Sequence, residues 1–62
     1  MKVFILTGVY FNEARTQDSK EVLGVFYTRE KANSAMQKLI KKNQTDINLG
    51  YIEYDVQGYD LQ

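Results

Sequence analysis

Sixty-two residues, of which 44% are hydrophobic, 26% charged and 13% aromatic, make one small domain, too apolar for a disordered segment and too polar for a membrane-embedded chain. The chain contains no histidine and no cysteine, which excludes disulfide staples, Cys/His zinc sites, thiol nucleophiles and imidazole acid–base chemistry. Eight basic and eight acidic residues cancel, so no net field draws the molecule toward nucleic acid or acidic lipid.

Lys2 to Phe11 is nearly continuous in Val, Phe, Ile, Leu and Tyr and carries no internal charge. It reads as a strand covered on both faces or central in a sheet. The run is too short for the core of a secretory signal, being interrupted at Thr7-Gly8, and a cytoplasmic setting is expected. Asn12 to Lys20 is polar, lacks the Asn-Gly or Asp-Gly signature of a tight hairpin, and is expected as a nine-residue loop. Glu21 to Tyr27 is the second strand, with Gly24 inside it marking a bulge or a place where a side chain packs on bare backbone.

Thr28 is placed to cap a helix opened by Arg29 and Glu30. Ala32, Ala35, Met36, Leu39 and Ile40 recur at i, i+3, i+4, i+7 and i+8, one buried stripe on a helix of roughly 15 residues. Lys41 and Lys42 suit the negative end of its dipole. After a polar link from Asn43 to Asn48, Tyr51 to Val56 alternates, with Ile52, Tyr54 and Val56 on one side and Tyr51, Glu53 and Asp55 on the other. That is a strand with one wet face; Gly58 is expected to kink it, with Tyr59 and Leu61 continuing the pairing.

The order ββαβ predicts a single α+β domain over residues 1–62. Strands one and two form an antiparallel hairpin, the helix returns the chain, and strand three docks antiparallel beside strand one, giving the order 2-1-3. The uncharged first strand suits the centre and the charged strands suit the edges.

Three segments carry a resemblance: Lys2-Val3-Phe4-Ile5-Leu6; Gly24-Val25-Phe26-Tyr27-Thr28 running into Arg29-Glu30-Lys31-Ala32 with Ala35 a turn on; and Tyr51-Ile52-Glu53-Tyr54. They resemble a family of small phage and bacterial domains of unknown function, which open on such a strand and close on a mixed aromatic and acidic one. The resemblance implies the same ββαβ fold and a phage origin, and brings no activity, substrate or catalytic residue.

One helix covers one face of a three-stranded sheet about 14 Å wide, yet strands one and two are apolar on both parities. Ile52, Tyr54 and Val56 are expected toward the helix. Which parity of strand one turns inward is left open by the pattern; Phe4, Leu6, Tyr10, Phe26 and Tyr51 are nominated for the uncovered face. Five such side chains, at ~1.5–3 kcal/mol each, are too much to leave in water. The cover is a second copy in a homodimer, another protein, or the chain's own loop or tail.

Arg29, Lys31, Lys38, Lys41 and Lys42 make the helix basic, with Glu30 its only acid; they suit phosphate tracking but also a solvated face, and the zero total charge favours the latter. Glu53 and Asp55, with Asp60 nearby, suit a hard cation but have no third ligand at a recognisable spacing, and no metal or cofactor is expected. The tyrosines Tyr10 and Tyr51 suit base stacking or a protein interface, the latter without the basic rim the former needs. The expected function is therefore stoichiometric protein binding without catalysis, by a homodimer or toward a host protein. With a phage origin, it is an inhibitor or modulator of a host factor such as a defence system. Nucleic-acid binding through the helix is the alternative.

Overall fold

A computed structural model describes residues 1–14 and 16–61. Three strands, β1 (Lys2–Phe11), β2 (Gln17–Phe26) and β3 (Ile52–Asp60), form one sheet of order β2-β1-β3, and two helices, α1 (Arg29–Lys42) and α2 (Gln44–Asn48), lie between β2 and β3 in sequence. The expected ββαβ order, the central first strand and the antiparallel β1–β3 pairing are all present.

The helix begins where its chemistry requires. Thr28 is extended (φ −132°, ψ 149°) and its hydroxyl oxygen accepts from the Lys31 amide at 3.1 Å, satisfying one of the orphan donors of the first turn. Of the apolar stripe, Ala32 is fully buried and Ala35, Met36, Leu39 and Ile40 are half-buried. The stripe packs on the sheet, and Asn43 joins helix to sheet, its amide donating to the Leu39 carbonyl at 3.2 Å and to the Tyr54 hydroxyl at 2.8 Å.

Three boundaries differ from the sequence reading. β2 starts at Gln17, so the expected loop shrinks to a turn over residues 12–16; Arg15 within it lies outside the described residues. The Asn12 side chain ties the turn, accepting from the Thr16 amide and hydroxyl at 3.2 and 3.0 Å. Polar Gln17, Ser19 and Lys20 pair with the end of β1, and they are polar because this end of an edge strand has no layer over it. The link after α1 is the short helix α2, closed by Gly50 at φ 81° with its amide on the Ile47 carbonyl, a conformation that favours glycine. β3 runs unbroken through Gly58, which pairs opposite Phe4 instead of kinking the strand.

The pairing of β1 with β2 slips twice, at Asp18 between the Phe11–Gln17 and Tyr10–Ser19 pairs, and again where Leu6 faces Gly24 and Thr7 faces Val22. Leu23 is the unmatched residue of a bulge. Beyond it the parity of β2 changes, so Val22 and Val25 share one face while Leu23 and Phe26 share the other.

Candidate functional site

Register fixes the two faces. On the helix side lie Phe4, Leu6, Gly8 and Tyr10 of β1, with Phe26, Gly24 and Leu23 of β2 and Gly58, Val56, Tyr54 and Ile52 of β3. Leu6 is 1% exposed. The opposite face carries Val3, Ile5, Thr7, Val9 and Phe11 of β1 between Val22 and Val25 on one flank and Tyr59, Gln57, Asp55 and Glu53 on the other.

Four of the five residues nominated for the open face are thus on the wrong side: Phe4, Leu6, Tyr10 and Phe26 all face the helix layer, while Tyr51 precedes β3, half-buried, its carbonyl accepting from the Phe11 amide at 2.8 Å. Hydropathy alone did not separate the parities of β1, because both are apolar. The separating signal was a small residue: Gly8 marks the parity on which large side chains crowd, whereas Thr7 on the other parity is itself buried. The three strand glycines all fall on the helix side, each beneath a ring. A Cβ on Gly24 would stand 2.8 Å from the Phe26 ring, one on Gly58 3.2 Å from the Phe4 ring, and one on Gly8 3.1 Å from the Tyr10 hydroxyl. Side chains packed close against bare backbone account for the bulk that the sequence reading placed outside.

No described segment crosses the open face, although Val3 and Thr7 at its centre are buried among their neighbours. Neither the turn after β1 nor the C-terminal segment crosses it: β2 pairs from Gln17 onward, and the Leu61 amide donates to the Met1 carbonyl at 2.6 Å along the edge of β1. Both helices lie on the other side, α1 beside Leu6, Leu23 and Phe26 and α2 through Ile47 beside Ile52 and Tyr54. Val22, Val25 and Tyr59 are 63%, 59% and 51% exposed, and a shallow depression between them is lined by Ile5, Thr7, Lys20 and Glu21. Tyr27 is also largely exposed. Glu53 and Asp55 share this face, as their spacing predicts, and Asp55 accepts from the Gln57 amide at 2.7 Å; Asp60, opposite Lys2, has the other parity. Among the described residues no three His, Cys, Asp or Glu side chains gather as metal ligands.

On the helix side, α1 packs across the sheet against all three strands, incompletely on the side of β2. A trough of about 530 Å³ remains there, floored by Leu6, Leu23 and Phe26 and walled by the α1 residues Lys31, Ser34, Ala35, Lys38 and Leu39. Its lining holds two lysines and no acidic residue.

The basic residues of α1 do not form one surface. Arg29 places its guanidinium 4.9 Å from the Phe4 ring centroid, with the Lys2 ammonium 5.8 Å from the same ring, distances at which the ring quadrupole attracts a cation. Lys31, Lys38 and Lys42 fall at i, i+7 and i+11 on the β2-facing flank, and Lys41 is displaced from that row. Tyr10 donates from its hydroxyl to Glu21 Oε1 at 2.8 Å. That bond, with smaller contributions from burial and the negative charge of Glu21, raises its pKa above the ordinary value.

No helix among the described residues is long and apolar enough to cross a membrane. The family described as "Domain of unknown function (DUF7336)" matches the chain over residues 1–62. No curated protein and no solved structure matches it.

Proposed function

From a chain that belongs to this family of domains of unknown function, we propose a binding module that acts without catalysis, its open sheet face closed by a second copy of itself. The observation that carries the reading is an exposed apolar patch, Val22, Val25 and Tyr59 around Ile5, on a face that no described segment covers. Patches of this kind on a small soluble protein mark interaction sites.

The proportions of the molecule support it. Its accessible surface is 4708 Å², against about 4,100 Å² for a compact monomer of this mass. Its Cα radius of gyration is 12.6 Å, against about 10.6 Å for a chain of this length. The principal extents, 40 × 22 × 11 Å, describe a slab of one sheet and one helical layer, and two slabs joined by their bare faces would have an interior on both sides of each sheet.

The resemblance to small phage and bacterial domains extends the reading to a modulator of a host protein. In that case the host protein and the second copy compete for one face. Nucleic-acid binding through α1 has less support, since Arg29 is drawn to Phe4 at one end while only Lys31, Lys38 and Lys42 form a row.

Light scattering on a sizing column tests the proposal. The expected mass is that of two chains, reduced to one by Val25→Lys with circular dichroism unchanged. A wild-type protein that stays single at high concentration overturns the dimer, and a salt-sensitive mobility shift with DNA or RNA, lost on Lys38→Glu and Lys42→Glu, favours the nucleic-acid reading.

A further inference from the structure

The trough between α1 and β2 lies on the opposite side of the sheet from the proposed dimer face and does not depend on that reading. Three features meet there. Its floor, Leu6, Leu23 and Phe26, is apolar. Its helix wall presents Lys31 and Lys38 with no acidic residue in the lining, and Lys42 extends the same row. Its outer rim is an unpaired sheet margin, because β2 is bonded only to β1, so backbone N–H and C=O groups on its outer side lack a strand partner.

An apolar floor with a cationic wall suits either an anionic amphiphile or an acidic peptide. The free margin decides between them, since only a main chain supplies the alternating donors and acceptors that a strand edge lacks. The bulge contributes by turning Leu23 onto the trough floor, where its methyl lies 3.0 Å from the position of a Cβ on Gly8.

We infer that the trough takes an extended segment of a partner protein, added as a fourth strand along the Leu23–Phe26 end of β2. Side chains of such a strand alternate between the two faces. The helix-side positions are an apolar residue Φ over the floor and, two residues to either side, carboxylates against Lys31 and Lys38: Glu-x-Φ-x-Glu. Seven residues of helix separate the lysines by about 10 Å, and four residues of strand separate the carboxylates by about 13 Å, a mismatch that the length of the Lys and Glu side chains absorbs.

The test is selection of short random peptides, displayed on mRNA, against the full chain. The expected result is enrichment of Glu-x-Φ-x-Glu. A synthetic acetylated peptide of that sequence should shift the backbone amide resonances of β2 and α1, and lose at least about tenfold in affinity against Lys31→Glu/Lys38→Glu, as charge reversal in an interface predicts. Selection repeated on that double variant should enrich Lys-x-Φ-x-Lys, an exchange that a merely structural role for the lysines would not produce; both are exposed, and circular dichroism checks the fold. Tyr59→Lys, on the other face and in the strand farthest from β2, should leave the affinity unchanged. Absence of any enriched motif, a basic motif on the wild-type chain, or resonance shifts confined to Ile5, Val22 and Val25 overturns the inference. So does displacement of the peptide by dodecanoate at equal concentration, which would identify an amphiphile site.

Discussion

At the scale of single residues, hydrogen bonding to a carboxylate makes Tyr10 harder to ionise than a free tyrosine. The Tyr10–Glu21 bond favours the neutral phenol, so the folded pKa stands above the unfolded one. Its contribution to stability is therefore complete below the ordinary tyrosine range near 10 and is lost as the pH rises through the raised folded value. Urea unfolding of wild type and Tyr10→Phe should accordingly show the largest difference at neutral pH and a shrinking one in alkali. Tyrosinate absorbance should show a late-titrating component that Glu21→Gln removes. Gly8 makes a different prediction. A side chain there meets the Leu23 methyl at 3.0 Å and the Tyr10 hydroxyl at 3.1 Å, so Gly8→Val overpacks the centre of the sheet and should cost about 1–3 kcal/mol, measured by chemical denaturation. In Gly24→Ala the obstacle is the Phe26 ring, which can swing aside into the trough, and the penalty should be smaller.

Among the elements, those whose signals are local were legible in the sequence. Thr28 as a cap and the stripe from Ala32 to Ile40 are fixed by chemistry within a turn or two, and the helix lies where they put it. Thr28→Ala removes the bond to the Lys31 amide and should cost about 1 kcal/mol, seen as a lower midpoint in thermal melts. β1 was legible end to end because its lack of charge reflects a central position. What the pattern did not carry is what depends on a partner strand. The polar start of β2 is a strand only because the end of β1 is there to pair with it, and α2 has Ile47 as its single strongly apolar residue, too little for a periodicity. The inward parity of β1 was likewise invisible to hydropathy, and it moved Phe4, Leu6, Tyr10 and Phe26 across the sheet. The count behind the candidate site survived that exchange, since an apolar set remains outside whichever set turns in, and Val22, Val25 and Tyr59 take the place of the nominated residues.

Viewed as a whole molecule, the chain has little interior. Val3, Leu6 and Ala32 are its buried hydrophobic residues among those described, and of these Val3 belongs to the open face. A domain of this length has roughly 3–9 kcal/mol of stability in total, and Leu6→Ala at about 2–5 kcal/mol removes a large part of it; the variant should be substantially unfolded at room temperature by circular dichroism. If a second copy shields the open face, the melting temperature should rise with protein concentration, and Val25→Lys should abolish that dependence. The bulge has a consequence for chain length as well. Removing a residue from a strand ordinarily slides every later side chain to the wrong surface. Leu23, like Asp18 near the start of the strand, is an exception, because its neighbours Val22 and Gly24 already stand opposite consecutive residues of β1. Excising it would straighten the ladder, keep inside and outside as they are, and strip the trough of part of its floor. This strand can be shortened by one unit without being turned inside out, and the shortened protein would separate what the fold needs from what a bound peptide needs.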